Sequence, residues 1–293
     1  MRGPMCRGRK GYRDLQVSYM AIYALSSWLV GRVPTDEAIR LMAENGFIQT
    51  ELSADWAPIV RDWEQDPEGV CEKLAAAQIG VPSVHSPELG RRLDLLDDEE
   101  RRASVEENLR YFGLMRACGV PEIIIHPVSG AAGKDDEAWA KVPGKARDSL
   151  KVLSDAAGEA GLRLAVENLG GGGRPGSTMA SILELIDGLG DHVGLCMDIG
   201  HSQRAHLDLL GELRTALDSG KLFTLHLHDV DPAGRDHWIP GEGCVDFMPF
   251  LAMLRAHGYG GGRTLEIEVA PAESVAERVR LAGAVREDWE RRG

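Results

Sequence analysis

The feature that most constrains this chain is a regular alternation of two kinds of segment. Eight short runs rich in β-formers lie at residues 18–26, 47–53, 80–85, 122–126, 163–168, 193–198, 222–229 and 263–269. Each is followed by a stretch whose apolar residues recur every three or four positions, as in a helix that covers a sheet. These stretches are 34–45, 67–78, 97–119, 136–161, 178–190, 207–220, 246–258 and 274–292. Several stop at a glycine (Gly46, Gly80, Gly119, Gly161, Gly258), a residue that tolerates the positive φ of a helix C-terminus. Eight strands, each followed by a helix, predict the α/β class and a single (β/α)8 TIM barrel spanning residues 17–293. An open doubly wound sheet is the competing architecture. It calls for a GxGxxG loop after the first strand, and none is there.

Residues 1–16, MRGPMCRGRKGYRDLQ, are basic and lack the apolar segment of a secretory signal. They are expected to be a poorly ordered or edge-packed extension without chemistry, with Met20 as an alternative start. No apolar run approaches the roughly 18 residues that span a bilayer. The five cysteines are scattered and form no CxxC, which points to a reducing, cytoplasmic setting. The net charge of −13 argues against a nucleic-acid partner, because nonspecific binding rests on positive groups facing phosphates.

Side chains alternate along a strand, and that rule sorts the polar residues. In TLHLHD, Leu225 and Leu227 suit the helix-facing side, so His226 and His228 point into the barrel. In LAVEN, Ala165 and Glu167 face in; in LCMDIGH, Cys196 and Asp198 do. In TLEIEV, Glu266 and Glu268 are placed inside. Ile124 shares the inner face with His126, and Ser83 with His85. Glu51 faces in from the second strand. Almost every strand therefore ends in an inward His, Asp or Glu, at the rim where barrel enzymes keep their active sites. Carboxylates this dense repel one another unless a cation or protons compensate them. Mixed imidazole and carboxylate ligands suit Mn, Co, Zn or Fe better than Ca or Mg. The cofactor expected is a divalent metal (Mn, Co, Zn or Mg), with one to three ions.

Individual members keep two readings. His85 and His126 are ligands or hydrogen-bonded barrel residues. His228 orients a ligand or meets a substrate hydroxyl. Arg235 clamps an anionic substrate or is simply solvated. Trp28, Trp56 and Trp238 wall a sugar pocket or pack ordinarily. The GGGGRPG run at 170–176 is a flexible lid or an anion cradle.

The ordered segments AVENLG, CMDIGHS, LHLHD, PGEGCVDF and GYGGGRTLEIE resemble the xylose isomerase-like barrel superfamily, from about residue 20 onward. That group includes sugar-phosphate isomerases, ketose 3-epimerases, inosose dehydratase and endonuclease IV. The resemblance implies a metal site of Glu167, Asp198, His226 and Glu266, with His201 touching substrate or a further metal. The larger zinc set of the nuclease branch would add His85, His126, His201, Asp236 and His237. The nuclease pattern is Asp-x-His, whereas Asp236 and His237 are adjacent here.

Three functions follow. The first is a divalent-metal-dependent isomerase or epimerase of a sugar, sugar phosphate or polyol, working through a metal-stabilised enediolate. Glu167 and Glu266 would be its catalytic acid–base groups, and Glu51, His201, His228 and Arg235 its substrate-binding residues. The second is a zinc-dependent phosphodiester hydrolase acting on abasic DNA. The third is a barrel that has kept only a vestigial site. A homodimer is compatible with all three.

Overall fold

The computed structural model describes residues 21–130, 135–171 and 173–292. Eight parallel strands form its centre: β1 (Ala24–Ser26), β2 (Thr50–Glu51), β3 (Ser83–His85), β4 (Glu122–Ile125), β5 (Arg163–Glu167), β6 (Val193–Asp198), β7 (Leu222–Leu227) and β8 (Gly262–Leu265). Their order is β2-β1-β8-β7-β6-β5-β4-β3. The ring closes between β2 and β3, where Thr50 N–H donates to Gly80 O at 3.0 Å and His85 N–H to Leu52 O at 2.8 Å. The result is the (β/α)8 barrel that the alternation predicts. The expected extension at 1–16, and the start of the expected strand at 18–26, lie outside the described residues.

Most strands are shorter than their sequence runs. Pro82 offers no N–H, and β3 begins only after it. β8 stops at Leu265, so Glu268 lies beyond the ladder and is exposed, not inside as the alternation suggests.

The helices are α1 (Thr35–Glu44), α2 (Pro58–Gln65), α3 (Pro67–Ala76), α4 (Asp98–Cys118), α5 (Asp136–Ala160), α6 (Met179–Ile186), α7 (Ile199–Arg204), α8 (Leu209–Asp218), α9 (Phe247–Ala256) and α10 (Val275–Arg292). Two of them, α2 and α7, were not expected. Their ends follow local chemistry. Asp97 and Asp135 accept from the first backbone N–H groups of α4 and α5, satisfying donors that a helix start leaves unpaired. Gly119 and Gly161 close the same helices at φ 73° and 70°.

The core has two parts, which the strand alternation separates. Between sheet and helices lie Ile123, Ile125, Leu164, Val166, Leu195, Met197, Leu225, Leu227 and Leu265. Inside the barrel, Ile124, Ala165 and Cys196 form their own cluster, with Phe223 packed against it. Near the N-terminal ends of these strands, Glu122 pairs with Arg163 at 2.9 Å, and the Arg163 guanidinium covers the Phe223 ring. The apolar plug leaves only the opposite, C-terminal rim for polar chemistry.

Candidate metal centre at the barrel mouth

Asp198 is both the last residue of β6 and the N-cap of α7, accepting the His201 N–H at 2.6 Å. The strand thus runs straight into a helix, which sets His201 just above Asp198. Gly200 in that turn is required by packing. A Cβ there would sit 1.9 Å from Cε1 of His228, well inside van der Waals contact.

His226, from β7, is the hub. Its Nδ1 lies 3.1 Å from Glu266 Oε2, 3.3 Å from Glu167 Oε1 and 4.0 Å from Asp198 Oδ2. One ligand atom from each of these four residues falls within 4.8 Å of the others, and all four are buried. Glu167 Oε1, His226 Nδ1 and Glu266 Oε2 are moreover buried without a hydrogen-bond partner. Buried polar atoms are normally satisfied, so three unsatisfied atoms converging on one point fit a divalent cation. The four side chains predicted as ligands are therefore brought together.

The surrounding residues hold this set in place. His85 Nε2 and His126 Nε2 both meet Glu167 Oε2, at 3.2 and 3.0 Å, leaving Oε1 turned toward His226. His228 Nδ1 accepts the His237 backbone N–H at 2.9 Å. Its proton is then on Nε2, which donates to Asp198 Oδ2 at 2.9 Å. His201 Nδ1 donates to Asn168 O at 3.0 Å, so Nε2 faces the mouth, 3.9 Å from Asp236 Oδ2. Asp198, His201, His228 and His237 form a second close group, and His85, His126 and Glu167 a third.

Several expectations change. Glu51 was expected to meet substrate. It is fully buried and lies against His226 Nε2, at 3.2 Å through Oε1 and 3.3 Å through Oε2. Arg235 was read as an anion clamp or a solvated residue, and its placement fits the second. Its side chain is 70% exposed and its Nε donates to Asp231 Oδ2 at 2.7 Å, while its guanidinium lies over Trp238. Asp236 instead pairs with Arg204 at 2.6 Å.

Sequence reasoning missed Asn168. It donates to Asp198 O at 3.0 Å and accepts the Asp198 N–H at 2.8 Å, stapling the end of β5 to β6. Its one signal was an amide just after an otherwise apolar outward face. Asp229 also has a role the sequence did not show. Its carboxylate accepts the backbone N–H groups of Val230, Gly241, Gly243 and Val245 at 2.8–3.0 Å. It thereby folds the long loop that carries Asp236 and His237. That loop holds His237 at φ 59°, a conformation costing on the order of 1 kcal/mol for a non-glycine residue. The His237 ring lies 4.6 Å from Trp28 and 4.2 Å from His228.

Charge explains the protonation of the cluster. Burial disfavours an imidazolium, but Asp198 and Glu167 overcome that at His201 and lift its pKa to about 9. His237 rises likewise to about 10 against its burial, through Asp236 and Glu266. His226 is pushed well above its ordinary value in spite of burial, with Cys196, Glu266 and Glu51 around it. Burial would raise the Glu167 carboxyl, yet the neighbouring His226 and His126 hold it well below the usual range. At His126 burial wins and lowers the pKa to about 4. The imidazoles are recruited as counter-cations for excess buried carboxylate, a role that a metal ion would take over.

Residues 39–285 match the profile of a family described as the xylose isomerase-like TIM barrel. The chain belongs to that family. Relatives in sequence include an inosose isomerase from Halalkalibacterium halodurans, 29% identical over 40% of this chain and 44% of its own length. An inosose dehydratase from Klebsiella pneumoniae is 24% identical over 59% and 66%. The chain thus spans less than two thirds of the length of these relatives. Among solved structures, a zinc-bound IOLI protein superposes with a TM-score of 0.78 at 18% identity, covering 92% of this chain and 98% of that one. The 3-keto-D-glucoside 4-epimerase of E. coli does so at 0.76 and 19%, covering 92% and 99%. At these identities the superpositions show the barrel fold alone. Among the described residues, no helix is long and apolar enough to cross a membrane.

Proposed function

We propose that this protein is a divalent-metal-dependent isomerase or epimerase of a sugar or polyol. The observation that carries the reading is the convergence of Glu167 Oε1, His226 Nδ1 and Glu266 Oε2, buried without hydrogen-bond partners, beside Asp198. Glu167, Asp198, His226 and Glu266 would hold the cation. A divalent ion there supplies polarisation of a substrate carbonyl, acidifying the adjacent C–H and stabilising an enediolate.

The remaining chemistry belongs to side chains. Glu167 ends β5 and Glu266 directly follows β8, with β6 and β7 between those strands. From those positions they can exchange protons with the two faces of one substrate carbon. His85 and His126 fix Glu167 through its second oxygen. His201 Nε2 and His237, at the open side, are placed to bind substrate hydroxyls. Trp28, packed on His237, walls that side. The relatives act on inososes, and a polyol or ketose substrate with neighbouring oxygens suits this polar mouth.

A second reading, phosphodiester hydrolysis, draws on the two further close groups around His201 and His85. The net charge of −13 opposes it. The test is metal-loaded and chelator-treated protein incubated with inososes, ketoses and sugar phosphates in deuterated water. Metal-dependent deuterium incorporation beside the carbonyl is expected. Nicking of abasic duplex DNA with no such exchange would overturn the proposal.

A further inference from the structure

The site contains a buried carboxylate that neither faces the mouth nor joins the proposed ligand set. Glu51, on β2, is 0% exposed. Both its oxygens lie against His226 Nε2, at 3.2 and 3.3 Å. Glu51 is itself held: its Oε2 accepts from Ser83 Oγ at 2.7 Å and from Thr264 Oγ1 at 3.3 Å. Hydroxyls from β3 and β8 thus aim it at a ring on β7.

The opposite edge of that ring poses a problem that Glu51 solves. Three carboxylates stand around His226 Nδ1, and each would draw the imidazole proton to that nitrogen. A ring protonated there has no lone pair for a cation. An imidazole binds metal through one nitrogen while the other donates to an acceptor, which fixes both tautomer and ring orientation. Glu51 is the carboxylate on the Nε2 side.

We propose that Glu51 is the positioning residue of the centre: it accepts the Nε2 proton of His226 and so keeps the Nδ1 lone pair directed at the cation. The inference rests on the reading of Glu167, Asp198, His226 and Glu266 as metal ligands. Glu51 contacts neither cation nor substrate and acts only through His226. Ser83 acts one step further back, by orienting the Glu51 carboxylate.

The experiment compares wild type with Glu51→Gln, Glu51→Ala and Ser83→Ala, using zinc as the probe. Affinity is measured by competition with a chromophoric chelator. Proton and 15N NMR of histidine-labelled, zinc-loaded protein follows the His226 Nε2–H, and melting of the metal-free proteins controls for folding. Glu51→Gln preserves shape and removes charge, so it should lower zinc affinity about ten- to hundredfold. The downfield Nε2–H signal should move upfield. Glu51→Ala should lose more, and Ser83→Ala less. Zinc affinity within twofold of wild type in Glu51→Gln, with an unmoved Nε2–H signal, overturns the positioning role and leaves the metal centre standing. Failure of wild type itself to bind zinc or any other divalent ion overturns both.

Discussion

The two halves of the barrel do different work. The strands β5 to β8 carry Glu167, Asp198, His226 and, just past β8, Glu266, whose ligand atoms converge. The strands β2 to β4 end in or just before Glu51, His85 and His126, and each of these touches one of the converging residues from behind. The halves also differ in build. β5 to β7 run five or six residues, while β1 to β3 run two or three, and the seam between β2 and β3 is closed by isolated bridges. Long ladders fix backbone positions, which the proposed ligands Glu167, Asp198 and His226 need because a geometry off by half an ångström is costly, whereas Glu266 follows the four-residue β8 and is held by its N–H on Leu227 O at 3.2 Å. A residue that works through a hydrogen bond tolerates a looser strand.

The contrast predicts unequal losses. Asp198→Asn keeps the cap on α7 while removing a charged ligand. It should weaken metal affinity by more than about a hundredfold, beyond what outer partners contribute, as read by metal per chain after gel filtration. At the opposite end of the barrel, Glu122 should affect stability alone. Burial raises its pKa to about 7 against the opposing Arg163 charge. The folded state then holds a proton between about pH 4.5 and 7 that the unfolded state has released, so stability falls as pH rises through that window. The full swing is about 3 kcal/mol. Urea melts of Glu122→Gln should lack that slope, with metal binding intact. His85→Ala removes one of two donors to Glu167 Oε2 and should lower metal affinity about tenfold. Arg235→Ala should change turnover less than about twofold, because its guanidinium serves Asp231 on the outside. A large loss there would put substrate on that face and erase the contrast.

The barrel was legible because each βα unit repeats one pattern, and β6 was read to the residue. The convergence of the four proposed ligands was legible for a related reason. At Glu167, Asp198 and His226 the polar residue interrupts an inward face inside a paired strand, where alternation holds. It fails where pairing ends: Glu268 follows the rule on paper, but the ladder has stopped at Leu265. Alternation also gives a residue's face and not its neighbour. Glu51 was correctly placed inside, yet nothing in the sequence says that β7 presents His226 Nε2 to it. Arg235 and Asp229 lie in a loop, where there is no period to read. Their partners are set by how the chain folds back between β7 and α9. Helix α2 was missed because it is a single short segment, Pro58–Gln65, outside the one-helix-per-strand rhythm.

One divalent cation is proposed to sit among Glu167, Asp198, His226 and Glu266. Anomalous diffraction from crystals grown with zinc or manganese tests it most directly. A strong peak is expected within bonding distance of His226 Nδ1 and one oxygen of each of the three carboxylates. A peak held only by other residues, or these four side chains closed on one another with no ion between them at saturating metal, would contradict it.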